Sequence, residues 1–437
     1  MKKILLSALC LAVIGLSQAQ KVSFTEYDLK NGLHVILHQN NKAPVVAVSV
    51  MYHVGSKNES QGRTGMAHFF EHLLFEGTNN IKRGDFTKIV TSNGGRANAN
   101  TSWDRTYYFE EFPSNQLETG LWLESERMMH PVINEIGVKT QNEVVKEEKR
   151  MRMDNQPYGN LFNSVFERIF TNHPYHNSII GSMQDLDAAK LDEFKAFFKK
   201  FYAPGNAVLS IAGDIDIEKT KKLVEAYFGD IPANTTVSYK KVEDAPITKQ
   251  IIDTVYDANI QLPAIVQAFR TPDINHKDQH ALQLLSLVLS GGSSSRLPKL
   301  MVDKKQDAVQ VGAQNLSLED YGLYFIYAMP SPGKSFETLI SDIDGEINRV
   351  QKELISDNEF TKIRNRAENN LIDANSNAIG IAENLASGYT FRNKNTNYLN
   401  TELENIRQVT KEDIRNAANK YLNKNQSLLL YYLPKAK

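Results

Sequence analysis

Residues 193–211 read EFKAFFKKFYAPGNAVLSI, and residues 412–430 read EDIRNAANKYLNKNQSLLL. At this shift of 219 residues, Tyr202 lies opposite Tyr421, and both stretches end in an apolar run. Each stretch has the pattern of an amphipathic helix followed by a buried strand. The repeated pattern indicates an internal duplication.

A second pair of segments matches at the same shift, and each opens an apolar, β-rich run: APVVA at 43–47 and LPAIV at 262–266. Two matches with one offset predict two copies of a domain of roughly 200 residues, long enough to bury a core. The polar segment NTTVSYKKVEDAPITK is the predicted linker. The predicted boundaries are 20–233 for the first domain, 234–249 for the linker and 250–437 for the second domain.

Strand patterns and long helical patterns occur in both halves. The predicted strands are 45–54, 106–112, 207–212, 251–256, 264–269, 321–329 and 427–433, and long helices are predicted at 336–354 and 357–375. This mixture predicts an α+β fold, in which helices cover one face of a mainly antiparallel sheet in each domain.

The composition excludes several classes of protein. The chain has 437 residues, of which 41% are apolar and 23% charged, so disorder, collagen and coiled coil are not expected. Because 50 basic residues stand against 51 acidic ones, no nucleic-acid partner is predicted. A single cysteine excludes a disulfide framework within the chain and a thiolate zinc site. Any metal must therefore be bound through nitrogen and oxygen.

The first 19 residues have the pattern of a secretory signal peptide, with Lys2 and Lys3, an apolar stretch at 4–15 and SQA at 17–19. A retained anchor is the alternative, but the apolar stretch is shorter than the ~20 residues that a membrane span needs. No other apolar stretch is long enough. The mature chain is expected to be exported to the periplasm or extracellular space, with no transmembrane span.

The segment 65–77, GMAHFFEHLLFEG, distinguishes the first half from the second. At 100° per residue, one side carries Met66, Phe70, Leu73 and Leu74, and the other carries His68, Glu71, His72 and Phe75. His68 and His72 are one turn apart and can bind one ion, and Glu71 beside them can take a proton from metal-bound water. The alternative is a pair of partly exposed histidines beside a core stripe. In the second half, the corresponding residues are Leu282, Leu285 and Ser286.

A catalytic zinc site needs a third protein ligand and an open position for water. Glu148 lies within a predicted apolar stripe, and burying an unpaired carboxylate is costly, so it needs a cation. Zinc is one such cation, and a salt bridge to Arg150 or Arg152 is the alternative. Glu147, on the solvated face, is the second choice of ligand. The stripe consists of Val138, Gln141, Val144, Val145, Glu148 and Met151.

These residues resemble the insulinase/pitrilysin family of inverzincin metallopeptidases, which carry an inverted H-x-x-E-H motif. The resemblance covers essentially the whole mature chain, through NGLHVIL, GMAHFFEHLLFEGT, NANTSWDRTYY, EVVKEEKRMRMDNQPYG, HPYHNSIIGSMQDL, FYAPGNAVLSIAGDID and GGSSSRL. It implies that His68, His72 and Glu148 bind one zinc ion per chain and that Glu71 is the catalytic base. It also implies that the chain forms half of a clamshell, as a homodimer or as a heterodimer with a related subunit.

The resemblance assigns further roles. The segment GGRANANT at 94–101 resembles the family's edge strand, which pairs with extended peptide substrate. The substrate-binding residues would be Asn98, Ala99, Asn100 and Thr101. A solvent-facing edge with no substrate role is the alternative.

In the second half, family peptidases use an arginine and a tyrosine to hold the substrate backbone and the tetrahedral oxygen. Arg296 in GGSSSRL matches the arginine, although a structural role is equally open. The expected tyrosine is absent from QDAVQV at 306–311, which leaves Tyr321, Tyr324 or a group of a partner chain. Gln141 stands where the family often has a glutamate, and its amide can donate hydrogen bonds but carries no charge. Glu76 is expected to support the site indirectly or to face solvent.

The sequence therefore predicts an exported zinc endopeptidase that hydrolyses peptides or unfolded polypeptides, with Glu71 as general base. The alternative is a non-catalytic or partner-dependent scaffold subunit of a heterodimeric peptidase. A third possibility, binding of a small metal or haem ligand, is supported only by the histidine pair.

Overall fold

The computed structural model describes residues 21–233 and 237–435. The predicted signal peptide at 1–19 lies outside the described residues, as does part of the predicted linker. In the two described ranges, no helix has the length and apolar character needed to cross a membrane.

The first half forms a six-stranded sheet in the order β1-β2-β6-β3-β5-β4. All neighbouring strands are antiparallel except β2 and β6, which are parallel. The strand β4 lies at one edge and pairs with β5. The strands are β1 (Thr25–Asp28), β2 (His34–Gln39), β3 (Val45–Tyr52), β4 (Arg96–Thr101), β5 (Thr106–Pro113) and β6 (Ala207–Gly213).

The second half repeats this topology in a five-stranded sheet, in the order β7-β11-β8-β10-β9. Its one parallel pair is β7 and β11, which correspond to β2 and β6. The predicted α+β fold with two similar, mainly antiparallel sheets is confirmed, and the predicted strands match the observed ones to within two residues at either end. The strands are β7 (Ile251–Asp257), β8 (Ala264–Thr271), β9 (Ala308–Ser317), β10 (Gly322–Pro330) and β11 (Ser427–Pro434).

Helices follow the same duplication. The two segments quoted first are α7 followed by β6 and α14 followed by β11, as their patterns predict. The first half contains α1 (Met66–Leu73), α2 (Phe86–Ser92), α3 (Leu117–Met129), α4 (Glu135–Lys149), α5 (Leu161–Ile169), α6 (Met183–Ala188), α7 (Leu191–Phe201) and α8 (Ile217–Phe228). The second contains α9 (Gln279–Ser290), α10 (Phe336–Lys352), α11 (Asp357–Ala374), α12 (Ala378–Phe391), α13 (Tyr398–Gln408) and α14 (Lys411–Tyr421).

Each half packs one of its helices on the sheet of the other half. One face of the first sheet packs on helices of its own half, and its other face packs on α12 of the second half, through Ile381, Leu385 and Ala386. In return, α5 of the first half packs on the second sheet through Val165 and Phe166. Each sheet is therefore covered on its second face by a helix that the sequence assigns to the other domain.

A buried ionic cluster also joins the halves, and we call Lys57, Asp104, His173, Glu319 and Asp320 the inter-half cluster. The ammonium of Lys57 is fully buried and lies 3.0 Å from Asp104, 2.5 Å from Glu319 and 3.4 Å from Asp320. Asp320 lies 3.1 Å from Nε2 of His173. Because a buried charge needs a partner, this cluster ties the loop between β9 and β10 to the first half.

Candidate metal centre

The helix α1 is anchored at its start by residues outside it. Gly65, at the N-cap, has φ of 90°, and a Cβ there would come within 2.6 Å of the carbonyl of Ile180. The half-buried carboxylate of Glu59 accepts hydrogen bonds from the amides of Gly65 and Ala67, both at 2.8 Å. Sequence reasoning missed Glu59, because nothing in its local pattern indicates that the chain loops back to the helix. These contacts satisfy amides that the helix leaves without partners.

The apolar side of α1 packs into the core, so its polar side faces α4 and β4. Phe69 and Phe70 are fully buried, and Tyr108 of β5 donates to the carbonyl of Phe70 at 2.9 Å. The sequence pattern predicts this division of the helix surface. It leaves His68, Glu71 and His72 on the side where α4 passes.

The helix α4 brings Glu148 to the two histidines. Oε2 of Glu148 lies 2.9 Å from Nε2 of His72 and 3.5 Å from Nε2 of His68. The candidate ligand atoms of the three residues all lie within 4.8 Å of one another. The structure thus brings together the three residues that the sequence predicts as metal ligands.

The structure also tests the predicted salt bridge of Glu148 and the predicted buried stripe of α4. Arg152 lies 2.9 Å from Oε1 of Glu148, whereas Arg150 pairs with the exposed Glu147. The prediction that Val144 and Met151 belong to a buried stripe is wrong, because they are 43% and 59% exposed. Two crossing helices bury only the residues near their contact, so the face of α4 next to Glu148 stays open to solvent.

The protonation of the group suits a divalent cation. Burial, and then the charge of His72, lower the pKa of His68 to about 4, so its imidazole is neutral at neutral pH. Burial raises the pKa of Glu148, but the neighbouring His72, His68 and Arg152 outweigh it and hold the pKa below its ordinary value. Metal ligands must be neutral imidazoles or ionised carboxylates, and His68 and Glu148 meet that condition.

Glu71 lies beside this group and contacts β4. Its Oε2 accepts a hydrogen bond of 2.7 Å from the hydroxyl of Thr101, the last residue of β4. Burial raises the pKa of Glu71, and the hydrogen bond from Thr101 opposes that effect. Thr101, which the resemblance assigns to substrate binding, therefore contacts the candidate base.

The rest of β4 forms the edge that the resemblance implies. The Asn98 side chain accepts from the amide of Ala99, and the Asn100 side chain accepts from Arg105 at 2.8 Å. Ala99 is buried. In the described part of the chain, no strand pairs with the outer side of β4. Substrate binding by these residues stays a prediction.

Gln141 and Glu76 form a pair near the same helices. Nε2 of Gln141 donates to Oε1 of Glu76 at 2.6 Å, and Arg83 forms an ion pair with the other oxygen of Glu76. The Glu76 side chain is largely buried, so it does not face solvent. The structure thus supplies a carboxylate beside Gln141, where the family often has a charge.

The predicted groups of the second half are engaged elsewhere. Arg296 donates two hydrogen bonds of 2.8 Å to Glu359. Tyr321 donates to Glu243 at 2.7 Å, and Tyr324 is fully buried. Among the residues that the structure describes, no hydrogen bond joins Arg296, Tyr321 or Tyr324 to His68, Glu71 or His72. Catalytic roles for Arg296 and Tyr321 stay predictions.

Comparisons with known proteins place the chain in a family. The family model described as insulinase (peptidase family M16) matches residues 34–183, and the one described as the peptidase M16 inactive domain matches residues 188–367. The zinc protease PqqE of Helicobacter pylori is 31% identical over 438 residues, which cover 98% of each chain. The chain belongs to the M16 peptidase family.

Other family members are similar along most of their length. An uncharacterized zinc protease of Rickettsia felis is 26% identical over 92% of this chain and 95% of its own. The crystal structure of a protease from Helicobacter pylori has a TM-score of 0.89 and 30% identity, and the match covers 94% of this chain and all of that one. The periplasmic protease PqqL of Escherichia coli shares the fold, with a TM-score of 0.78 and 18% identity, over 96% of this chain and 48% of its own.

Proposed function

We propose that this chain is an exported zinc endopeptidase that hydrolyses peptides or unfolded polypeptides. The observation that carries the proposal is the convergence of His68, His72 and Glu148 beside the half-buried carboxylate of Glu71. The names of several relatives as zinc proteases support it.

The donor set fits one zinc ion per chain. Two imidazoles and one carboxylate are a usual ligand set of catalytic zinc, which keeps a fourth position open. Oε2 of Glu148 is buried without a hydrogen bond of good geometry, and it faces the Nε2 atoms of both histidines. A cation bound at these three atoms would satisfy all of them.

Zinc held by His68, His72 and Glu148 would supply a Lewis acid for the peptide carbonyl and would lower the pKa of water from ~15.7 toward ~7. Glu71 accepts the proton of the attacking water on its carboxylate and then delivers this proton to the leaving amine. A positioned acid/base of this kind contributes roughly 10²–10⁴-fold to the rate. The free edge of β4 offers backbone groups that would align an extended substrate without reading its sequence.

We further propose that the domains are 20–233 and 250–437, joined by the linker 234–249, and that the chain acts as a homodimer or with a related subunit. The length of PqqL supports the proposed dimer. This chain matches 48% of PqqL, so two chains of this kind together have about the length of one PqqL chain. The periplasmic location in the name of PqqL supports export after removal of 1–19.

A partner-dependent scaffold is the second candidate function. It is favoured by Arg296, whose guanidinium is held by Glu359, and by the match of 188–367 to a domain described as inactive. A scaffold would cleave no peptide itself, whereas a catalytic half of a heterodimer would bind zinc and cleave nothing until a second chain is added.

The test compares the mature chain with Glu71→Gln and Glu147→Gln. We expect all three to bind one zinc ion, and we expect Glu71→Gln to lose roughly 10²–10⁴-fold in cleavage of an unfolded protein. Glu147 lies exposed on α4 and is the matched control. Wild-type cleavage by Glu71→Gln, or cleavage that a chelator leaves unchanged, would contradict the proposal.

A further inference from the structure

We propose that Thr101 is a positioning residue for Glu71, holding its carboxylate in the orientation in which it accepts the proton. The inference rests on the proposed function, because it assigns Glu71 the role of base. The observation behind it is the hydrogen bond of 2.7 Å from the Thr101 hydroxyl to Oε2 of Glu71.

The hydrogen bond leaves the two oxygens of Glu71 in different situations. Oε2 accepts from Thr101, and no hydrogen bond to Oε1 is found among the described residues. The terminal torsion of a glutamate is broad, so a carboxylate without a fixed donor samples many orientations. A donor on one oxygen removes that freedom and leaves the other oxygen open to a proton.

Thr101 is itself held in place by the turn that follows it. Asp104 of this turn accepts from the hydroxyl of Tyr175 at 2.6 Å and lies 3.0 Å from the ammonium of Lys57. The amide of Glu319, from the second half, also donates to Asp104 at 2.9 Å. The inter-half cluster thus fixes the turn, and contacts between the halves reach Glu71 through Thr101.

The same strand would carry the substrate. If an extended peptide pairs with the free edge of β4, the substrate and Glu71 both contact the same strand, whose last residue is Thr101. A reacting group misplaced by about 1 Å can cost on the order of 10²-fold in rate. Positioning by Thr101 therefore acts on turnover rather than on substrate binding.

The test uses Thr101→Val, which keeps the shape of the side chain and removes the donor, and Thr101→Ser, which keeps the hydroxyl. Thr91→Val, on the exposed end of α2, is the control. We expect Thr101→Val to lose roughly 10–100-fold in kcat with KM changed less than about threefold. Zinc content and Tm should equal those of the wild type, and Thr101→Ser should stay within about threefold of it.

Two further measurements separate positioning from other roles. In crystals of the zinc-free protein, we expect Glu71 to keep one orientation in the wild type and in Thr101→Ser, and several in Thr101→Val. Adding Thr101→Val to Glu71→Gln should cost nothing more, because residues that act as a unit are not additive.

The outcomes distinguish this proposal from the proposed function. A wild-type chain without zinc-dependent cleavage, both alone and with a related subunit added, would overturn both. If the wild type is active and Thr101→Val is equally active, only the positioning role of Thr101 is overturned. A single orientation of Glu71 in Thr101→Val would have the same consequence. A raised KM at unchanged kcat would likewise overturn it, because it would make Thr101 a substrate contact.

Discussion

Oε2 of Glu148 on α4 lies 2.9 Å from Nε2 of His72 on α1. The two residues belong to separate helices, so their distance depends on how α1 and α4 pack. Glu59 anchors the start of α1, and the Asn134 side chain accepts from the amide of Gly137 at the start of α4. The candidate metal centre is therefore a property of the fold and not of the H-x-x-E-H segment alone.

Replacing Glu148 should weaken zinc binding far more than replacing its neighbour Glu147. Glu148→Gln removes a charged ligand, and we expect zinc affinity to fall by more than roughly 100-fold. Replacing a residue that only hydrogen-bonds to a metal ligand usually costs up to about 100-fold in metal affinity. Glu147→Gln should bind zinc as the wild type does, because Glu147 pairs with Arg150 on the exposed face. Competition with a chromophoric chelator measures both affinities. Equal affinities of Glu148→Gln and the wild type would refute the ligand assignment.

A buried arginine supports the other end of α1. The Arg127 guanidinium is fully buried, forms ion pairs with Glu124 and Glu110, and packs on the rings of Phe75 and Phe86. Arg127→Met leaves two buried carboxylates without a cation, so we expect it to lower the free energy of unfolding by about 3–5 kcal/mol. Arg150→Met, at a half-exposed ion pair, should cost about 0–1 kcal/mol. Thermal unfolding measures both, and similar Tm values for the two variants would contradict the argument.

Acid should weaken the inter-half cluster through Asp320. Burial raises the pKa of this carboxyl, but His173, Lys57 and Tyr239 outweigh it and lower the pKa to about 2. An unfolded aspartate has a pKa of about 3.9. Because the folded pKa is the lower one, the ionised carboxylate stabilises the protein above about pH 4, and this stabilisation is lost as the pH falls toward 2.

The Asp320→Asn variant tests this dependence. At pH 7 we expect it to be less stable by about 1.5–3 kcal/mol, because Tyr239 loses a charged acceptor, whereas Lys57 keeps Asp104 and Glu319 as ion-pair partners. Between pH 4 and pH 2, its Tm should fall less steeply than that of the wild type. Asp357→Asn, at an exposed pair with Lys411, is the control and should follow the wild type. Parallel Tm curves for Asp320→Asn and the wild type would contradict the role of this carboxylate.

The sequence predicts those features that depend on local pattern. The strands, the long helices and the polar side of α1 follow from periodicity, and the duplicated topology follows from two matches with one offset. Glu148 was found by the same means, because a carboxylate at a position that a helical pattern expects to be buried requires a cation.

The features that the sequence did not predict all depend on contacts between distant segments. The helical periodicity that selected Glu148 also placed Val144 and Met151 in the core. Periodicity shows which residues share a face of a helix, but it does not show how far the neighbouring helix extends along that face. The resemblance assigns Thr101 to substrate binding, and the periodicity of a strand does not reveal that the Thr101 hydroxyl also donates to Glu71. The partner of Arg296 lies on α11, and no local pattern connects the two.

The exchange of α5 and α12 predicts that damage to the second half destabilises the first. Leu385 of α12 is fully buried against the first sheet, and Leu385→Ala should cost about 2–5 kcal/mol. Ile372→Ala, on the adjacent α11, removes an apolar side chain that is 57% exposed and should change stability by less than about 0.5 kcal/mol.

Fluorescence can locate this effect in a Trp103→Phe background, because the remaining Trp122 packs against the core of the first half, whereas Trp103 packs against α5 and the second sheet. If α12 is part of the core of the first half, Leu385→Ala must lower the midpoint of the unfolding transition that tryptophan fluorescence detects. Circular dichroism, which reports on all helices, should show the same midpoint. A shift seen by circular dichroism alone would mean that the first half keeps its stability without α12, and that the halves unfold independently despite their exchanged helices.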